Sequence, residues 1–256
     1  MEALVAALKR HPGASVALFA VLFRVVHGLV RKLPTPAVVL RDELRAWKWR
    51  NLSVSVVHSL VTGTWAVSSV LIWPETLRDL HSHHTPLSYL LLCISTGYFV
   101  QDAADIILTG HGKGSWEFLV HHVPVILCFA YALHTQLYVA ATVVALLVEV
   151  NSVTLHLRLM LKLVGATSSA AYRVNKVVNV GTFVAFRLGS QFYLTWYIGS
   201  NYSWLDNAFL LLASLMVINV MMLVYFYRLV RSDFFRHRGD HAGRNGTRDS
   251  KKFITD

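Results

Sequence analysis

Runs of about twenty apolar residues recur along this sequence and leave it few ways to fold. They fall near residues 14–30, 51–73, 87–108, 118–133, 137–161, 177–198 and 205–230. A helix rises 1.5 Å per residue, so each run matches a hydrocarbon core about 30 Å thick. The expected fold is all-α, a polytopic transmembrane helical bundle of six to seven spans. Composition agrees: 55% of residues are hydrophobic and 15% charged, where soluble domains carry nearer 25% charged.

The first run is the ambiguous one. Lys9 and Arg10 precede it as a signal sequence would require, but Arg24 and His27 interrupt it and no small-x-small cleavage site precedes Leu33-Pro34. A retained anchor is expected. The chain then divides into an N-terminal anchor or signal-like span over 1–34, a transmembrane domain over 35–235 and a disordered tail over 236–256. The tail mixes Gly, His and charge without apolar periodicity. Cys93 and Cys128 fall inside spans as small hydrophobes and imply no disulfide framework.

The net charge of +10 is topological and does not point to nucleic acid. With seven spans the alternate faces receive 18 and 3 Lys/Arg, three more lying inside spans. The richer face, which includes the carboxyl terminus, is expected to be cytosolic. Residues 31–50 carry six of those basic residues, with Trp47 and Trp49 placed to sit at the headgroup interface; anionic-lipid binding by this stretch stands beside the plain topogenic reading. Of the glycosylation acceptors at Asn51, Asn201 and Asn245, only Asn201 falls on the opposite face, too close to lipid for modification to be expected.

Several ionisable residues interrupt the apolar runs, each costing several kcal/mol in lipid unless it faces the bundle interior. Depth arithmetic places His121 and His122 roughly 8 Å inside the basic face and Glu149 about 20 Å from it. Asp102, Asp105, His156, Asn151 and Arg187 converge on the same leaflet. Glu149, Ser152 and His156 share one helical face, as do Asp102 and Asp105. Two readings compete: a structural network, for example an ion pair of Glu149 with Arg187, and a chemical site. In the chemical reading His121 or His122 is a general base, Glu149 the carboxylate that orients it, and Asp102, Asp105, Asn151, His156 and Arg187 contact substrate. A metal is not expected, since adjacent histidines diverge by about 100° on a helix and cannot easily share one ion. His81, His83 and His84 read as solvated loop histidines.

A histidine pair near the start of one span, followed by an acidic residue in the next, resembles the TLC superfamily, whose best-known enzymes are ceramide synthases. Gly97-Tyr98-Phe99 with Asp102, Trp116-Glu117, Leu119 with His121-His122, and Leu147-Val148-Glu149-Val150 are similar to the branch of TLC domain-containing proteins. So are Tyr172-Arg173-Val174-Asn175-Lys176, Phe186-Arg187-Leu188 and the ending Lys252-Phe253-Ile254-Thr255-Asp256. Where ceramide synthases carry an aspartate-rich segment this chain has Glu149-Val150-Asn151-Ser152, which points away from sphingoid-base acylation. The resemblance implies a regulator of membrane phospholipid acyl composition and fluidity, either by acyltransferase-like chemistry with acyl-CoA as a substrate or without catalysis. The alternative is a non-enzymatic partner of another membrane protein, such as a calcium channel. The expected partners are membrane lipids and other membrane proteins, not nucleic acid, and the expected location is the plasma membrane rather than the endoplasmic reticulum.

Overall fold

Local signals in the sequence set where each helix begins. Asp42 caps a long helix by accepting the N–H groups of Leu44 and Arg45 at 2.8 and 3.3 Å, and Thr85 with Ser88 forms a reciprocal capping box ahead of Pro86. Ser169 accepts the N–H of Tyr172 at 3.1 Å, and Pro12 occupies a first-turn position where its missing N–H costs nothing. The computed structural model describes residues 2–110 and 116–235, and its regular elements are all helices.

These helices are α1 (Glu2–Arg10), α2 (Pro12–Val30), α3 (Glu43–Ile72), α4 (Glu75–Arg78), α5 (Pro86–Leu108), α6 (Trp116–Thr135), α7 (Val139–Ala145), α8 (Val148–Leu163), α9 (Ala170–Thr182), α10 (Gly189–Ser200) and α11 (Ala208–Val230). Among the described residues five spans are long and apolar enough to cross a membrane: α2, α3, α5, α7 with α8, and α11 with its extension. Helix α6 is apolar but shorter. The run at 177–198 lies within a continuous rod in which a π-helical segment, Phe183–Leu188, joins α9 to α10. The protein is a multi-pass, all-helical membrane protein. The tail over 236–256, with Asn245, lies outside the described residues.

Burial orders the bundle from inside out. Of the most apolar 18-residue stretch, 67% is buried in α5 but 22% in α2 and in α11, so α5 is central and the other two face lipid. Small residues let backbones approach where helices cross. Gly97 of α5 receives Phe19 and Ala20 of α2; a Cβ there would lie 2.5 Å from Phe19 Cβ and 2.8 Å from Ala20 N. Gly63 of α3 receives the start of α8, where a Cβ would lie 3.0 Å from Val150 N.

Two expectations change. Helix α3 begins at Glu43, so Trp47 lies within it, 4% exposed, and its indole donates to Asp105 Oδ2 at 3.0 Å; an intramembrane carboxylate recruits it away from the headgroups. His81 is not solvated. It packs edge-on against Tyr138 and Trp204, its carbonyl accepts the Tyr138 N–H at 2.7 Å, and its Nε2 lies 3.4 Å from Asp206 Oδ2.

That contact belongs to a seam closing the end of the bundle opposite the basic loops. The Tyr138 hydroxyl donates to the Asp206 carbonyl at 2.7 Å, Tyr193 donates to the Leu77 carbonyl, and Asn207 donates to the Tyr131 hydroxyl at 2.8 Å. Burial alone would raise the Asp79 carboxyl, but hydrogen bonds from the Ser82 hydroxyl and from neighbouring backbone N–H groups hold it below its ordinary value. At the basic end, Arg228 bonds Glu117 at 3.0 Å, and Arg158 with Lys176 holds Asp233 beyond α11.

Candidate functional site

Helix α5 sends Asp102 into the bundle between α3 and α6. Asn51 Nδ2 donates to its Oδ1 at 2.7 Å, and His122 Nε2 lies 3.0 Å from its Oδ2. Both carboxylate and imidazole are buried. An imidazole fixed in this way by a carboxylate has one tautomer and one orientation. Among the described residues the carboxylate that meets a histidine of the pair is Asp102, not Glu149.

Glu149 stands in the first turn of α8, just past the break at Leu146-Leu147. Its Oε2 accepts from Ser59 of α3 at 2.6 Å, a contact that the close approach at Gly63 permits. An imidazole also lies near it at 3.8 Å, that of His58. His58 is stacked on Tyr98 with ring centroids 3.7 Å apart, and neither of its ring nitrogens has a hydrogen-bond partner. Sequence reasoning missed Asn51, His58 and Ser59. The signal was there: Asn51, Ser55, His58, Ser59 and Thr62 form one buried polar stripe at helical spacing along α3.

Arg187 does not pair with Glu149. Its Nε donates to Asn151 Oδ1 at 2.9 Å and its Nη2 to the Ser152 hydroxyl at 2.8 Å, and no carboxylate among the described residues forms an ion pair with it. Asn151 in turn donates to Asn179 Oδ1 at 2.9 Å and to the Thr182 hydroxyl at 3.1 Å. Asn151 and Asn179 are fully buried, so this network ties α8 to α9 and to the π segment. Local π geometry adds a residue to a turn and often marks functional sites.

The structure separates residues that helical spacing had grouped. Asp105 shares a face with Asp102 but serves a different junction, accepting from Arg24 of α2 at 2.8 Å and from Trp47 of α3. His156 sits within electrostatic range of Arg187 and Asp102, with its Nδ1 buried and unpartnered.

A narrow cavity of about 90 Å³ runs between α6, α7, α8, α10 and α11, smaller than the 300–1,000 Å³ of sites for drug-sized ligands. Its walls are chiefly apolar, among them Phe129, Leu146, Leu194, Leu215 and Met222, and Tyr138 lines it from the closed end of the bundle. His121, Glu149 and Gln191 supply polar groups. Of His121, His122, Glu149 and Asp102, the first and third line it. His122 and Asp102 lie behind Phe99, whose ring lines the cavity and meets His122 edge-on at 5.6 Å. Among the described residues no three His, Cys, Asp or Glu side chains converge as metal ligands.

Comparison with known proteins matches residues 48–231 to the TLC domain, a stretch that spans α3 to α11 and carries the whole of this site except its covering helix α2. TLC domain-containing protein 1 of Gallus gallus is 41% identical over 245 residues, 95% of each chain. The Homo sapiens protein of the same name is 38% identical over 247 residues, covering 96% of this chain and 98% of its own. TLC domain-containing protein 2 of Danio rerio is 41% identical over 216 residues, 84% of this chain and 87% of its own. With most of its length matched, this chain belongs to the TLC domain family.

Proposed function

We propose that this protein sets the acyl composition of membrane phospholipids, and with it membrane fluidity, by acyl transfer inside the bundle. The observation that carries the reading is the cavity: a narrow, chiefly apolar slot with His121 and Glu149 on its wall. Among the described residues His121 has a ring contact with His122 but no hydrogen bond, which leaves its ring nitrogens for a ligand. In the proposed step His121 accepts the proton of an attacking lipid hydroxyl as the oxygen bonds to the acyl carbonyl carbon. The carbonyl's bond to its leaving group, the thiolate of an acyl-CoA, then breaks, and that group takes up the proton. The His122–Asp102–Asn51 cluster holds α6 against α5 and α3, which keeps His121 aimed at the slot. On this reading the protein works in the plasma membrane with its carboxyl terminus cytosolic; the 18 to 3 distribution of basic residues supports the orientation.

The adjacent histidines then give opposite signatures when each is replaced by alanine. His121→Ala is expected to abolish the effect on phospholipid acyl chains at normal protein level, since a lost acid–base group costs about 10²–10⁴ in rate. His122→Ala leaves Asp102 buried with only Asn51 and is expected to lower abundance, with a stability cost of roughly 1–3 kcal/mol. Quantitative lipidomics and immunoblotting of the same cells read both. An unchanged lipid profile in well-expressed His121→Ala would defeat the catalytic assignment and favour a binding partner role.

A further inference from the structure

Positive charge gathers where α2, α3 and α5 meet at the basic end of the bundle. Arg24, Gly28 and Arg31 follow one another at helical spacing along α2, and all three are exposed. Gly28 leaves a gap between the two arginines, since a Cβ there would meet nothing within 4 Å. Arg50 stands one turn beyond Trp47 on α3, which packs against α2. The three helices converge on Asp105 of α5. It accepts from Arg24 and from Trp47, and His27, 6% exposed, turns its Nε2 to within 3.9 Å of it without gaining a hydrogen bond. The charged groups in electrostatic range of that buried imidazole are Asp105, Arg24, Arg31 and Arg50. Three guanidiniums thus share one carboxylate, and only that of Arg24 has a bonded partner among the described residues. Like charges gathered around one carboxylate repel, and an anion between them removes the repulsion.

We propose that Arg24, Arg31 and Arg50 form a binding site for the phosphate of an anionic phospholipid, whose acyl chains lie along the lipid face of α2. Guanidinium forks match phosphate oxygens in pairs, so the two arginines that Asp105 leaves unbalanced suit a phosphate and its one or two negative charges. The depth fits a headgroup. Arg31 caps the end of α2; Arg24 lies about 10 Å deeper, and its side chain, 57% exposed, has a stem long enough to bring the charge to headgroup level. Beside them Val21, Val25 and Leu29 of α2 are exposed apolar side chains, a surface that a free phosphate leaves bare and a phospholipid covers. None of these residues lines the cavity, so the site is independent of acyl transfer.

The test uses the full-length chain, purified in detergent and incubated with dioleoyl phosphatidate or dioleoyl phosphatidylcholine, with and without inorganic phosphate as competitor. Bound lipid is read by native mass spectrometry. Phosphatidate is expected to bind about ten-fold more tightly than phosphatidylcholine, whose headgroup carries its own cation, and to raise the unfolding temperature. Arg31→Gln and Arg50→Gln are each expected to weaken phosphatidate binding about ten-fold with the fold intact. Arg24 stays in place because it also holds Asp105. Arg41→Gln is the control: that arginine lies on the same basic stretch, is exposed and is outside the set acting on His27, and its loss is expected to leave binding unchanged. Equal binding of the two lipids would overturn the proposal, as would unchanged binding when Arg31 and Arg50 are replaced together. A loss in Arg41→Gln as large as in Arg31→Gln would replace the site by diffuse attraction. Displacement of the lipid by millimolar inorganic phosphate would assign the arginines to free phosphate and overturn the membrane source. His121→Ala is expected to bind phosphatidate as the unaltered chain does, so failure of the transfer reading leaves this site standing.

Discussion

Asp102 and Asp105 stand one turn apart on the same helix, yet one holds His122 and the other holds the amino-terminal helix. Their partners, not their spacing, decide what each does. Asp105 is 1% exposed as a side chain while Arg24, its partner, is 57% exposed, and this asymmetry predicts unequal mutants. Arg24→Ala strands a buried carboxylate with Trp47 and a distant His27, at a cost of about 2–3 kcal/mol. Asp105→Ala frees an arginine that can swing to headgroups, and its main loss is the Trp47 hydrogen bond, about 1 kcal/mol. Thermal unfolding of the two purified variants should rank Arg24→Ala as the less stable; equal stabilities would mean that Arg24 is not the charge compensating Asp105.

At the scale of helices, glycines sort by what lies opposite them. A Cβ at Gly97 would strike the α2 backbone, one at Gly63 would press on the α8 backbone beside Glu149, and one at Gly28 would meet nothing within 4 Å. Gly97→Ala is therefore expected to push α2 off α5 at a cost of about 1–3 kcal/mol. Gly63→Ala should cost less in stability but displace Glu149 and impair the lipid phenotype. Gly28→Ala, free of contacts in the last turn of α2, is expected to be neutral or stabilising by up to about 1 kcal/mol. Thermal melts with lipidomics on the three variants check the ranking. The contact at Gly97 and the Arg24–Asp105 pair also make α2 a structural member of the bundle, so an epitope at the amino terminus is expected to remain on the mature chain. Its loss from membrane-embedded protein would show that α2 is removed.

At the scale of the molecule, one end of the bundle is stitched by tyrosines and short loops while the other gathers the basic residues. An epitope after Asp256 is accordingly expected to reach antibody only in permeabilised cells; staining of intact cells would reverse the orientation. Spans, their number within one or two, and the concentration of polar groups in the membrane were legible in the sequence, because lipid imposes its length and polarity on any helix that crosses it. His121, Glu149 and Arg187 stood out for the same reason: charge inside an apolar run is conspicuous. What the sequence could not supply was pairing. Helical spacing states which residues share a face but not which face another helix presents, so Asp102 with His122, Ser59 with Glu149 and Asn151 with Arg187 emerged only from how α3, α5, α6 and α8 cross. His58 and Asn51 stayed hidden for a related reason, since a polar stripe on one helix carries no mark of the carboxylates that will meet it. The break at Leu146-Leu147, just before Glu149, and the π turn before α10, which carries Arg187, leave no mark in the apolar pattern and were seen only in the tertiary structure.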